Sequence, residues 1–544
     1  MTTPKEGLEP GDGLLSRRAF LKTSGAAELS LAALLAEPGL ALGSQPQPGG
    51  VLRTRLFAYP RSLDPHYAPL IHIANFSGRV YSRLITHKAG PDVNPSELIQ
   101  VPDLAERWER VDDLTYIFHL RKGVQWHDVS PVSGREFTSE DVKATIERIL
   151  DPKSAAAMRK SLEPIAKVET PDRYTVVLTT TELYAPLLNH LSTHFAWIIP
   201  KEAAEGQYDI ANTPIGTGPF LFESFKRADK ATFNKNPRYF QPGRPYVDRD
   251  ELYYIEEPAT ALAAFRSKQI DIMYERLYLD AEGMRKADPT AYVEPFFASG
   301  NLTLSMRTTK PPLDNQKVRQ AISLAIDRDA INSTLYFNQG RRTAWLPRVF
   351  GSFALSSDEA ARLYPYDPDR ANKLMREAGY AKGFQTSIST TEAWGLATVD
   401  GATMIAEMLK EINIDARVNR MEHGSIIKTF TTTHDFEMLY PPSLAMMEAD
   451  EWVYEVYHSK GTRRYPGFTD PRLDQLAEAQ RREMNPEKRQ RIFHDIQVLL
   501  AELAPSLPIL QVPLYAYGQS RVQDFRFHRD MGWPFLTDVW LKKA

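Results

Sequence analysis

Apolar and polar positions alternate most regularly at Tyr116, Phe118 and Leu120, a period of two that predicts a half-buried strand. The densest run of such signals is 213–272. It opens Thr-Pro-Ile-Gly-Thr-Gly-Pro-Phe at 213–220, where two glycines and two of its prolines set an unusual backbone path before a strand. Two short β-prone runs, 221–225 and 231–234, flank the polar turn 226–230 and predict a hairpin. A second turn at 236–240 leads to a strand over 247–255. Pro258 then fits the first turn of a helix with Leu262 and Phe265 on one face, and 270–272 resumes a strand. Elsewhere the pattern predicts strands over 51–58, 175–179 and 301–310, the last with Leu302, Leu304 and Met306. Helices are predicted at 138–150, begun by Thr138, at 318–326, and at 367–378, which starts through Asp-Pro-Asp. Amphipathic helices follow at 404–409 and 492–503. Strands interleaved with helices make this an α/β chain.

Composition narrows the function. With 544 residues and 42% hydrophobic content the chain can bury cores for two or three domains. Its 66 basic and 69 acidic side chains nearly cancel, and the basic residues are dispersed, so no nucleic-acid partner is expected. The densest basic cluster beyond the N-terminus, 481–491, alternates with Glu and Gln and is expected to be a solvated helix face. Cysteine is absent, which excludes disulfides, iron–sulfur ligation, thiol nucleophiles and the cysteine that a lipid anchor requires. Near the N-terminus, Ser16-Arg17-Arg18-Ala19-Phe20-Leu21-Lys22 precedes a small, apolar run over 23–36. This is a twin-arginine export motif, and 1–43 is expected to be its signal peptide, cleaved after Ala41 or Gly43. No later run approaches the roughly 20 apolar residues of a membrane span. A periplasmic protein that folds before export and carries no lipid anchor is the expectation.

Catalytic and metal motifs are weak. Gly216-Thr217-Gly218 begins like a phosphate loop, but Pro219 removes a donor and no lysine follows. His190 and His194 have the spacing of a zinc pair but no adjoining glutamate or third ligand. There is no Gly-x-Ser-x-Gly elbow, and the pairs Asp248/Asp250 and Asp367/Asp369 lack the rest of a calcium loop. No catalytic residue, metal or cofactor is expected.

The order Pro-Ile-Gly-Thr-Gly-Pro-Phe (214–220), Asn-Pro-Arg-Tyr-Phe (236–240) and Ala-Ala-Phe-Arg-Ser-Lys-Gln-Ile-Asp-Ile (263–272) resembles extracellular solute-binding protein family 5. That family contains the dipeptide, oligopeptide and nickel receptors of ABC importers. Leu63-Asp64-Pro65-His66 looks like its N-terminal signature and 80–84 like the helix that follows. Segments 102–108, 113–126, 136–148, 314–331 and 366–379 continue the resemblance over nearly everything after residue 50.

The resemblance implies a type II periplasmic-binding-protein fold in its three-domain form, with a ligand cleft between lobes. Lobe I would comprise 50–90, 213–300 and 515–544, domain II the insertion 91–212, and lobe III 301–514. It implies a monomeric, non-enzymatic receptor that captures a peptide or other small molecule and delivers it to an ABC permease with a cytoplasmic ATPase. On this sequence the ligand-facing positions become His66 and Tyr67 in lobe I and Glu392, Trp394, Tyr440 and Asp450 in lobe III. Asp450 also matches the family's structural Asp-Pro-Asp segment, here Glu448-Ala449-Asp450. The peptide receptors' charged stretch corresponds to 439–447, which carries no charge here, and their arginine position to Glu392. An acid beside a tryptophan suits a cationic or sugar-like ligand. Two further readings stay open: a twin-arginine-exported enzyme, and a sensor that presents its ligand to a chemoreceptor.

Overall fold

The computed structural model describes residues 45–543 except 67–70, 95–96, 155, 157, 194, 393–394, 442–445, 462, 465–466 and 528–535. The segment 1–43, expected to be a signal peptide, lies outside the described residues. From residue 46 onward the chain forms one compact unit.

Three large sheets organise that unit. The first has seven strands in the order Tyr292–Phe296, Leu514–Gly518, Ile272–Glu275, Val51–Leu56, Arg249–Tyr254, Lys230–Lys235 and Phe220–Lys226. Its central strand, Val51–Leu56, runs parallel to Arg249–Tyr254 and to Ile272. Sandwiched between neighbours, this strand carries polar groups that need internal partners. Arg55 meets Glu275 at 2.7 Å, and Thr54 shares buried Asp250 with Arg79. The second sheet is Ile414–Arg420, Phe384–Thr390, Met438–Leu439, Leu302–Met306 and Ser506–Leu510, with Phe384–Thr390 parallel to both its neighbours. The third is antiparallel: Ala105–Arg110, Thr115–Leu120, Thr175–Thr180 and Ile165–Asp172. Each sheet has its own apolar core.

The chain crosses between the seven- and five-stranded sheets twice, from Phe296 to Leu302 and from Leu510 to Leu514. The crossings lie side by side, since Gln511 Nε2 donates to the Ala298 carbonyl at 3.0 Å.

Local sequence signals translate directly into these elements. The hairpin of 213–272 is present as Phe220–Lys226 and Lys230–Lys235. Pro258 opens helix Pro258–Arg266, where its missing N–H has no helical partner to lose. Thr138 and Asp141 form a capping box ahead of Ser139–Leu150, and Asp367 caps Pro368–Glu377. The Gly-Thr-Gly segment is a close approach of backbones. A Cβ on Gly216 would sit 1.8 Å from the Val80 carbonyl oxygen, to which the Gly218 N–H donates at 2.8 Å.

Two expectations change. Residues 80–84 do not form a helix; the helix is Ile71–Val80, and beyond Val80 the chain is extended, with Arg83 bridging to Trp197. The Val80 carbonyl accepts from Gly218, which takes the chain out of the helical ladder. The basic cluster 481–491 is not wholly a solvated face either. Arg482 and Arg491 are exposed, but Arg481 and Arg489 are buried on carboxylates supplied by 448–450.

Candidate functional site

In open α/β sheets the loops beyond the carboxyl ends of parallel strands are where ligands bind, because the strands there stop and leave a crevice. Two stretches singled out in the sequence emerge at such ends side by side. Phe384–Thr390 leads into Thr391 and Glu392, and Met438–Leu439 leads into Tyr440 and on to Asp450. The strands are in register at Ile388–Met438 and Ser389–Leu439, and the Tyr440 N–H donates to the Ser389 carbonyl at 2.9 Å. On the seven-stranded sheet, Val51–Leu56 ends in the loop that carries Asp64 and His66.

Side chains that follow carboxyl ends of the seven-stranded sheet meet the body of the five-stranded one. Tyr278, just after Ile272–Glu275, has its ring 5.4 Å from that of Phe337, which ends helix Arg328–Tyr336. His72 lies on the helix after Val51–Leu56, and His423 opens the helix after Ile414–Arg420. Burial, then the nearby Arg61 and His423, push His72 down to about 4.

His66 is buried, and its hydrogen bonds fix its tautomer. Nε2–H donates to the Trp197 carbonyl at 2.8 Å, leaving Nδ1 to accept from Arg148 at 2.7 Å. Arg148 also pairs with Asp64 at 2.6 Å, and Asp64 accepts the His66 N–H. Burial and the Arg148 cation push the ring down to about 4, so it is neutral at physiological pH. Leu-Asp-Pro-His is thereby a clasp from the seven-stranded sheet onto the inserted segment.

A second clasp joins His127 to the glycine segment. Its Nε2 faces the Gly218 carbonyl at 3.1 Å and its Nδ1 the Gly216 N–H at 3.4 Å. With the Gly218 N–H on Val80, these amides are occupied internally, which argues against a phosphate loop.

Tyr440 is fully buried, its ring against Gly401 and its phenol near that of Tyr336; burial, then Tyr336, pushes the phenol well up. Glu392 is half exposed and pairs with Arg420 at 2.9 Å. Asp450 is buried, receives Arg481 at 2.8 and 2.7 Å and also accepts from Gln480. Although burial opposes ionisation, Arg481 and then His190 hold this carboxyl far below the usual range. Tyr67, Trp394 and His194 lie outside the described residues. Thus Glu392 and Tyr440 stand at adjoining strand ends, while His66 and Asp450 sit in separate buried networks.

Sequence reasoning missed an aromatic cluster below Leu439 and Met446. Trp345 packs edge-on against Trp452 at 5.0 Å and against Tyr457 at 4.7 Å. Its members are a hundred residues apart and share no periodicity. Among the described residues, no group of three or more His, Cys, Asp or Glu could hold a metal ion.

The model for bacterial extracellular solute-binding proteins, family 5, matches residues 100–463. Di/tripeptide-binding protein 1 of Pseudomonas aeruginosa is 29% identical over 458 residues, 78% of this chain and 83% of that one. Two solved structures each align with a TM-score of 0.79 at 25% identity, covering 91% of this chain and 99% of theirs. One is the ABC transporter-associated periplasmic binding protein DppA from Helicobacter pylori in complex with the peptide STSA; the other is AgaA from A. tumefaciens R10 in complex with agropinic acid. The mixed α/β architecture is therefore the type II periplasmic-binding-protein fold, a class whose members bind solutes between lobes. The chain belongs to the bacterial extracellular solute-binding proteins, family 5, a family of transport receptors and not of enzymes.

Proposed function

We propose that this protein captures a peptide-class or related small solute in the periplasm and delivers it to an ABC permease driven by a cytoplasmic ATPase. The observation that carries this reading is the meeting of strand carboxyl ends from two sheets joined by just two crossings. A solute that touches both sides favours the closed arrangement, and closure is a shape that a permease can read. The relatives named above bind di- and tripeptides, a peptide and agropinic acid, which supports a small solute of that class.

The three sheets are read as three domains: lobe I from 50–90, 213–300 and 515–544, the inserted domain II at 91–212, and lobe III at 301–514. Within the cleft we assign ligand contact to Tyr67, Glu392, Trp394 and the neighbourhood of Tyr440. The buried networks suit His66 and Asp450 to holding the scaffold. The twin-arginine motif at 16–22 supports export of the folded chain into the periplasm, where we take it to act as a monomer.

Thermal-shift measurements against dipeptides, tripeptides, opines, sugars and metal chelates test the reading, since a ligand that binds only the folded state raises its melting temperature. A strong shift by members of one solute class is expected. No shift by any of them would overturn it.

A further inference from the structure

Lobe III is joined to the rest of the unit through the two crossings, and it meets domain II at a buried ionic patch. His190, in helix Leu187–Ser192 of domain II, is fully buried. Its Nε2 lies 3.8 Å from Asp450 Oδ2 and its Nδ1 3.5 Å from Glu451 Oε1. Around it the Ala185 N–H donates to the Arg481 carbonyl at 2.7 Å, and Arg482 pairs with Glu182 at 2.5 Å. Tyr184 stacks on His190 at 5.9 Å between ring centroids and lies beneath Arg481.

The other buried charges of the patch belong to lobe III and have partners there. Arg481 and Gln480 hold Asp450, Arg489 holds Glu448 at 2.7 Å, and Glu451 accepts the Met447 N–H. Arg463 acts on Glu451, Tyr454 lies under Arg481, and Glu455 is buried on the same turn. Lobe III would therefore keep Asp450 satisfied if the two bodies separated. His190 is the buried charge that crosses the seam, while the other crossing pair, Arg482 with Glu182, lies at its solvent-exposed edge.

Domain II, by contrast, is tied to lobe I along a long border. Arg148 pairs with Asp64, His66 bonds the Trp197 carbonyl, Arg83 bonds the Ser192 carbonyl at 2.7 Å, and His127 clasps the glycine segment. A rotation about the crossings would carry lobe III away from lobe I and domain II together, and would open this patch.

Resting on the reading of lobe closure above, we propose that His190 is a latch: docked on Asp450 and Glu451, it holds lobe III against domain II and stabilises the closed state without touching the solute. Burial alone would favour the neutral ring, but Asp450 and Glu451 outweigh it and push His190 up to about 9. The latch is therefore charged at neutral pH and released in alkali.

The absence of cysteine allows two unique spin labels, at Lys167→Cys in domain II and Lys410→Cys in lobe III, both exposed. Electron–electron distance distributions of the solute-free protein at pH 7 should show a short-distance population. It should fall about fivefold or more in His190→Gln, the low end of typical coupling between sites, and wild type at pH 10 should show the same loss. If His190→Gln fails to fold, Glu451→Gln removes the partner from the lobe III side and should give the same loss. Distributions unchanged by substitution and by pH would overturn the latch. Because no solute is added, failure of the solute-capture reading would appear separately, as wild type that binds nothing in the thermal screen.

Discussion

Asp450→Asn separates a ligand contact from a structural anchor. In the native fold the Asp450 carboxylate is 1% exposed and takes both arms of Arg481, itself 7% exposed, together with Gln480 and the approach of His190. Substitution by the isosteric amide keeps the volume but leaves the guanidinium buried without its counter-charge and places an amide where only acceptors fit. Breaking a buried pair by removing one partner costs about 3–5 kcal/mol. With the proposed lobe III, residues 301–514, melting as a body of its own, 1 kcal/mol corresponds to about 2–4 °C, and its melting temperature should fall by roughly 6–20 °C. Differential scanning calorimetry without solute measures this, with urea unfolding followed by tryptophan fluorescence as a check. A native-like melting temperature with solute affinity lost would refute the argument and return Asp450 to the cleft.

Gly216→Ala should destabilise by roughly 3 kcal/mol or more, because its Cβ would lie 1.8 Å from the Val80 oxygen and backbone cannot yield as a side chain does; a melting temperature within 1–2 °C of wild type, on the scale of ~1 kcal/mol or less, contradicts it. Stability should decline on the acid side between about pH 6.5 and 4. His66, His72 and His127 are each pushed down to about 4, so the unfolded chain takes up protons in that window before the native state does. On the alkaline side the sign reverses. His190 is raised to about 9, so its contribution is complete below about 6.5 and is lost as pH rises through 9. Melting temperatures from pH 4 to 10 should trace both limbs, and His190→Gln should flatten the alkaline one alone. Trp394→Ala should weaken binding of the solute found in the thermal screen, and unchanged affinity removes that residue from the site.

Much of the scaffold was legible because its signals are local. Thr138 with Asp141, Pro258 and Asp367 each act within a few residues, so spacing along the chain reveals them. What the sequence concealed was partnership at a distance. Arg481 and Arg489 stand in a run that reads as a wet helix face, and only the fold brings Asp450 and Glu448 over them from 31 and 41 residues away. The stretch 80–84 differs for the same reason, since the carbonyl of Val80, the last helical residue, is taken by the distant Gly218 N–H. Of the candidate site, the stretches 392–394 and 439–450 were singled out by resemblance, and the adjacency of Glu392 and Tyr440 follows from the parallel pairing of Phe384–Thr390 with Met438–Leu439. The burial of His66 and Asp450 depends on Arg148, Trp197 and Arg481, and no pattern within their own loops announces it.

Small-angle X-ray scattering of the protein with and without a saturating di- or tripeptide from the thermal screen tests capture by closure most directly. The account predicts a smaller radius of gyration in the bound state, with the melting temperature raised in parallel. Saturated binding with an unchanged radius of gyration would contradict it.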